Sequence, residues 1–157
     1  MEESAMFVAL IMGIVAGLRA MTPLAAVSWA ARLGVLHLDN TWLAFLGYRW
    51  TPWLFTLLAL AEIFNDKLPK TPSRKVPVQF ATRVITGAIA GAAIGTSVSN
   101  SVICALLGAC GAVIGTFAGS AARTGLTEWS GGKGLLVALC EDCVAIGCAA
   151  YLLSTLV

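Results

Sequence analysis

Five apolar stretches, each long enough to cross a bilayer and separated by short polar connections, dominate this chain: residues 5–31, 52–68, 80–98, 102–122 and 133–155. A hydrocarbon core of about 30 Å takes roughly 17–25 apolar residues per helix. The composition agrees. Of 157 residues, 59% are hydrophobic and 11% charged, where a soluble domain carries about 25% charged residues, and the mean hydropathy is +0.88. The sequence predicts an all-α fold, a polytopic membrane helix bundle of about five transmembrane helices, forming one integral membrane domain over residues 1–157.

Local signals set the boundaries. Thr51 followed by Pro52 reads as an N-cap with proline at the first helical position, which starts the second segment there. Residues 42–50, with Trp42, Tyr48 and Trp50, then read as an interfacial aromatic stretch. Ser99-Asn100-Ser101 makes the third and fourth segments a tight hairpin. The opening MEESAM carries two acids and no basic residue, unlike the start of a secretory signal, so the first segment is expected to be retained.

Cytoplasmic connections retain Lys and Arg. Lys67, Lys70, Arg74, Lys75 and Arg83 lie in or beside the connection between the second and third segments, and Arg123 and Lys133 bracket that between the fourth and fifth. Arg32 and Arg49 stand against them. The reading is a multi-pass protein of the cell inner membrane, N-terminus cytoplasmic and C-terminus outside. A net charge of +2 without a basic amphipathic face argues against nucleic acid. Membrane lipids are the expected partners, together with further copies of the chain, because five helices leave little room for a private pathway. A small ion or small-molecule ligand is unidentified.

The polar residues inside the apolar stretches are few. Glu62 and Asp66 stand four apart on the second segment, with Asn65 beside them; Glu141 and Asp142 sit in the fifth among Ala138, Ala145 and Ala149. Glu141 falls roughly 12 Å into its helix, at a depth comparable with Glu62. A carboxylate there costs about 2.5–3.5 kcal/mol on insertion scales, so it should face protein or a wet cavity and have a partner. Arg19, Arg83 and, from its loop, Arg74 are the available counter-charges. Thr22 and Pro23 follow Arg19; a proline there frees the carbonyl four residues back, that of Arg19 itself. This is either a structural kink or a broken helix of the kind that builds ion and solute sites.

Two further patterns bear on architecture. GIVAG at 13–17 and GAVIG at 111–115, with ALAE at 59–62 and ALCE at 138–141, occur in the same order. They allow an inverted repeat of the first two segments in the fourth and fifth, pairing Glu62 with Glu141 near the midplane; chance recurrence in so apolar a chain is the alternative. Gly87, Gly91 and Gly95, and Gly111, Gly115 and Gly119, mark one face of the third and of the fourth segment. These faces are expected to pack tightly, on each other or across a homodimer seam.

Several chemistries are set aside. Cys140 and Cys143 form a C-x-x-C, but no second pair follows and the single histidine, His37, is predicted on the other side of the membrane. Cys104, Cys110 and Cys148 also lie in apolar runs and suggest packing rather than disulfides. Walker A, dinucleotide-binding and H-E-x-x-H patterns are missing. No metal, no cofactor and no enzymatic activity are expected.

Three stretches together, GLRAMTP at 17–23, EIFNDKLPKTPSR at 62–74 and EDCVA at 141–145, resemble the bacterial membrane proteins grouped as domain of unknown function 4126. The likeness covers most of the chain. It implies that Arg19, Thr22, Pro23, Glu62, Asp66, Lys67, Pro69, Pro72, Arg74 and Asp142 are motif positions, and it brings no activity. The resulting expectation is a small transporter or channel with a polar site built from Arg19, Thr22, Glu62, Asn65, Asp66, Arg74, Arg83, Glu141 and Asp142. The alternative is a non-transporting membrane scaffold or lipid-organising subunit whose buried charges only fix helix packing.

Overall fold

The computed structural model describes residues 2–65, 77–129 and 134–154. It is all-α, with no strand among the described residues. Six helices follow in order: α1 (Glu2–Leu18), α2 (Met21–Arg32), α3 (Thr51–Asn65), α4 (Pro77–Gly95), α5 (Ser101–Trp129) and α6 (Gly134–Ser154). Pro77–Val98 and Ser101–Trp129 are each long and apolar enough to cross a membrane.

Small residues build the centre. Gly13 of α1 lies on the backbone of Gly108 in α5, Gly17 on Ala112, Gly115 and Thr116, and Gly111 and Gly115 on the backbone around Leu10 and Ile14. Any side chain at these glycines would run into main-chain atoms, so α1 and α5 approach at backbone distance. On the other flank of α5, Gly87 and Gly91 of α4 sit against Gly108 and Cys104. The α4 glycine face therefore meets α5 as expected, whereas Gly111 and Gly115 face α1 rather than α4.

Two turns close by glycine-type caps. After α2, Gly34 at φ 78° lets the amides of Gly34 and Val35 reach back to the carbonyls of Ala31 and Ala30. After α4, Ser99 takes the same left-handed role at φ 55°, and the Asn100 amide bonds the Gly95 carbonyl at 2.9 Å. The SNS hairpin is thus as read.

The first apolar stretch departs from expectation. It is not one crossing but two helices broken at Arg19–Ala20. Gly13 meets Gly108 and Gly17 meets Gly115, so α1 runs in the same direction as α5, and its start lies beside the α4–α5 turn, where the Asn100 amide donates to Glu2 at 2.7 Å. α2 then heads back. Its start is held by Glu62 of α3, Trp29 donates to Thr56, and Thr41 beyond it lies by Thr96 and Ser99–Val102 at the turn end. α1 and α2 form a hairpin with its apex at Arg19–Ala20. Pro23 falls in the first turn of α2, where its missing amide has no helical partner to lose.

One expectation falls with this geometry. Inverted copies would run in opposite directions, yet the GIVAG and GAVIG helices run side by side in the same one. Glu2, at the start of α1, lies with Asn100 at the α4–α5 turn, at the other end of the bundle from the end of α3 and the start of α4.

α3 and α6 flank this centre. α6 runs parallel to α2, with Asp142 at Arg19 and Ile146 and Ala149 near Ala25 and Trp29. Its inner stripe is Ala138, Asp142, Ala145, Ala149 and Leu152, a helical spacing of fours and threes.

Candidate functional site at the helix break

A broken helix leaves carbonyls at the end of its first arm and amides at the start of its second without intrahelical partners. Here side chains from other helices take both sets. Arg83 of α4 donates through Nη1 to the carbonyls of Gly17 and Leu18, at 2.6 and 2.7 Å. The amides of Ala20 and Met21 donate to Oε1 and Oε2 of Glu62, each at 2.9 Å. Each charge has the sign the helix dipole favours: cation at the C-terminus of α1, anion at the N-terminus of α2. Arg83 Nη2 stands 3.6 Å from Glu62 Oε1, so the two caps also bridge α3 to α4.

A second pair lies beside the first. Arg19, at the apex itself, forms an ion pair with Asp142 of α6. Their side chains are 1% and 8% exposed, against 16% for Glu62. Thr116 of α5, fully buried, donates to the Ala112 carbonyl at 2.8 Å and lies 3.4 Å from the Gly17 carbonyl. Three charged side chains from α3, α4 and α6 thus converge on the break, which supplies a fourth, Arg19.

A cavity of about 650 Å³ opens against this cluster, between the end of α3, the start of α4 and the apex. Glu62, Asn65, Gln79, Thr82 and Arg83 supply its polar lining; Met21, Leu58, Phe64 and Val78 are among its apolar walls. Arg83 lies six residues into α4, roughly 9 Å from its start. The cluster therefore sits about a third of the way along the bundle, not at its middle.

The residues expected from sequence are only partly brought together. Arg19 with Asp142, and Glu62 with Arg83, meet as pairs, and Asn65 lines the cavity. Thr22 is buried but faces a separate, apolar cavity of about 320 Å³ between α2, α3 and α6. Glu141 is half-buried and lines neither of these two cavities. Asp66 and Arg74 lie outside the described residues. Gln79, Thr82 and Thr116 were not expected, nor were the side chains that cap the backbone at 17–21, although a broken helix beside Arg19 was one of the two readings of the Thr22-Pro23 step. The only signal for the last was the Arg-Ala-x-Thr-Pro order after a glycine. The cysteines carry free thiols, and no His, Cys, Asp and Glu cluster fit for a metal occurs among the described residues.

The family model described as domain of unknown function DUF4126 matches residues 6–155. The chain belongs to this family. That match spans the hairpin, the break and every charged residue of the cluster, so the whole described site lies within the DUF4126 domain. No curated protein and no solved structure matches the chain.

Proposed function

We propose that this DUF4126 protein is a small multi-pass membrane protein that binds and moves a small solute at the cavity beside the helix break. The observation that carries the reading is Glu62, a part-buried carboxylate in an apolar bundle, capping the second arm of a broken helix at the floor of a cavity. Discontinuous helices with half-helix ends aimed at a site are how transporters bind charged groups within a membrane. Irregular backbone at such depth is tolerated where it lines a cavity or is buried in protein.

On this reading α3 to α6 cross the bilayer, while α1 and α2 form a re-entrant hairpin entering from the side of the α4–α5 turn. Lys67, Lys70, Arg74 and Lys75 belong to the α3–α4 connection, Lys133 to the α5–α6 connection and Arg123 to the last two turns of α5, the side that the positive-inside rule makes cytoplasmic. Both termini are then outside, and the cavity opens toward the cytoplasm. The inner membrane of a bacterium is the setting this implies.

A scaffold role is the second reading, and the Arg19–Asp142 pair favours it, being buried and already matched in charge. Purified protein in proteoliposomes separates the two. Transport requires solute flux above that of empty vesicles, abolished by Ala61→Phe, which adds bulk to the cavity lining and leaves the four charged residues unchanged. Protein that inserts, folds and passes nothing across panels of cations, anions and neutral solutes leaves the scaffold reading.

A further inference from the structure

The two charges at the cavity are not equally available to a ligand, and the difference selects its chemistry. Arg83 is 3% exposed and its Nη1 is committed to two carbonyls. Glu62 is 16% exposed and accepts one amide on each oxygen, whereas a carboxylate has about four lone-pair sites in all. Glu62 also stands 3.6 Å from Arg83 Nη2, and of this pair the carboxylate is the member more open to the cavity. Gln79 and Thr82, also in its lining, each add an oxygen acceptor. Around them Leu58, Phe64 and Val78 are exposed apolar walls, one of them aromatic, a side chain type that attracts cations.

We propose that the cavity takes an amphiphilic organic monocation, its charged head against Glu62 and its apolar body against Leu58, Phe64 and Val78. The volume of about 650 Å³ is within the range of small-molecule sites. An inorganic ion is a poorer fit, because so much of the wall is hydrocarbon that could not replace a hydration shell. An anion would meet the Glu62 carboxylate before the more deeply buried Arg83 guanidinium. This proposal rests on the binding site in the transport reading but not on transport itself.

The test uses the full-length protein in nanodiscs with tetraphenylphosphonium as the probe and tetraphenylborate, of the same shape and opposite charge, as its control. Tetraphenylphosphonium should bind saturably and tetraphenylborate should only partition into lipid. Glu62→Gln should weaken the cation by about tenfold or more, the effect of losing a charged partner. Because Glu62 is also a helix cap, Ala61→Phe provides the independent check, blocking the cavity with Glu62 in place. Absence of saturable binding to folded protein, equal binding of the borate, or binding unchanged in Ala61→Phe would each overturn the assignment. Saturable, Ala61-dependent binding without flux in proteoliposomes would support the site while refuting transport. Flux of other solutes without cation binding would refute the ligand class alone.

Discussion

The Arg19–Asp142 pair makes the sharpest demand on the structure. Asp142→Asn keeps the shape and hydrogen-bonding groups of the side chain and removes its charge, leaving the Arg19 guanidinium facing a neutral partner at 1% exposure. Removing one member of a buried pair typically costs about 3–5 kcal/mol, because the remaining charge stays desolvated. At about 2–4 °C per kcal/mol for a chain of this size, the midpoint should fall by roughly 6–20 °C. Replacing both members with apolar residues of similar volume, Arg19→Met with Asp142→Leu, removes the uncompensated charge. The double variant should recover to near the parent or above it. Tryptophan fluorescence of the detergent-solubilised protein during heating reads both midpoints, with helix content by circular dichroism as the check on folding. A single variant within about 2 °C of the parent would refute the reasoning, since less than 1 kcal/mol is inconsistent with a dry pair. A double variant as unstable as the single one would show that packing, not charge, is what the pair supplies.

Other consequences follow from the same geometry. Arg83→Ala leaves the Gly17 and Leu18 carbonyls without their charged donor, at about 1–3 kcal/mol for each buried acceptor; millimolar methylguanidinium should restore part of the lost midpoint, and ethylammonium less, because only the former has the planar fork. Gly115→Val drives a branched side chain into the Ile14 backbone and should lower stability by at least the about 1–3 kcal/mol of an overpacked core, read as loss of monodisperse protein on size exclusion; wild-type behaviour would contradict the close α1–α5 crossing. Reporter fusions at the N-terminus and after Ser154 should report the same side of the membrane and a reporter inserted at Lys70 the opposite one, whereas five crossings would split the two termini.

Much of this was legible from periodicity. The helices α3 to α6 fall where apolar runs of spanning length occur, because length and hydropathy are local properties. The Thr51–Pro52 start of α3 and the SNS turn were also local, set by capping chemistry that needs no tertiary partner. Asp142 over Glu141 was readable in principle: Ala138, Ala145 and Ala149 place residue 142, and not 141, on the inner stripe of α6. The hairpin was not readable from hydropathy, which measures how much apolar chain there is and not which way it runs. A continuous run from 5 to 31 scores alike as one crossing or as a folded pair. What decides between them is the charge on other helices, Glu62 and Arg83, which alone makes a break at residues 19–20 affordable. The inverted repeat failed for a related reason. GIVAG and GAVIG are alike because each must let a backbone approach, and they meet that need by packing on each other.

The four charges at the apex divide into two functions, and the division bears on whether the site braces or binds. Two positive and two negative side chains sum to zero, so the break carries no net charge. Arg83 and Glu62 offset the carbonyl and amide ends of the two arms as well as each other. Arg19 and Asp142 join the apex to α6 through a buried ion pair. A brace alone would need only burial and matching, as this second pair has. Glu62 departs from that pattern by standing at the floor of an open cavity rather than within the core. A carboxylate left at a cavity wall has lost much of its water without being fully enclosed by protein, and that leaves it responsive to whatever cation comes next. Variants of Asp142 should therefore change the midpoint of unfolding, and cavity-filling variants at Ala61 should change binding while leaving that midpoint nearly fixed. If the two sets of variants instead lowered stability and binding together, the apex would act as one cooperative unit, and the separation into brace and site would be wrong.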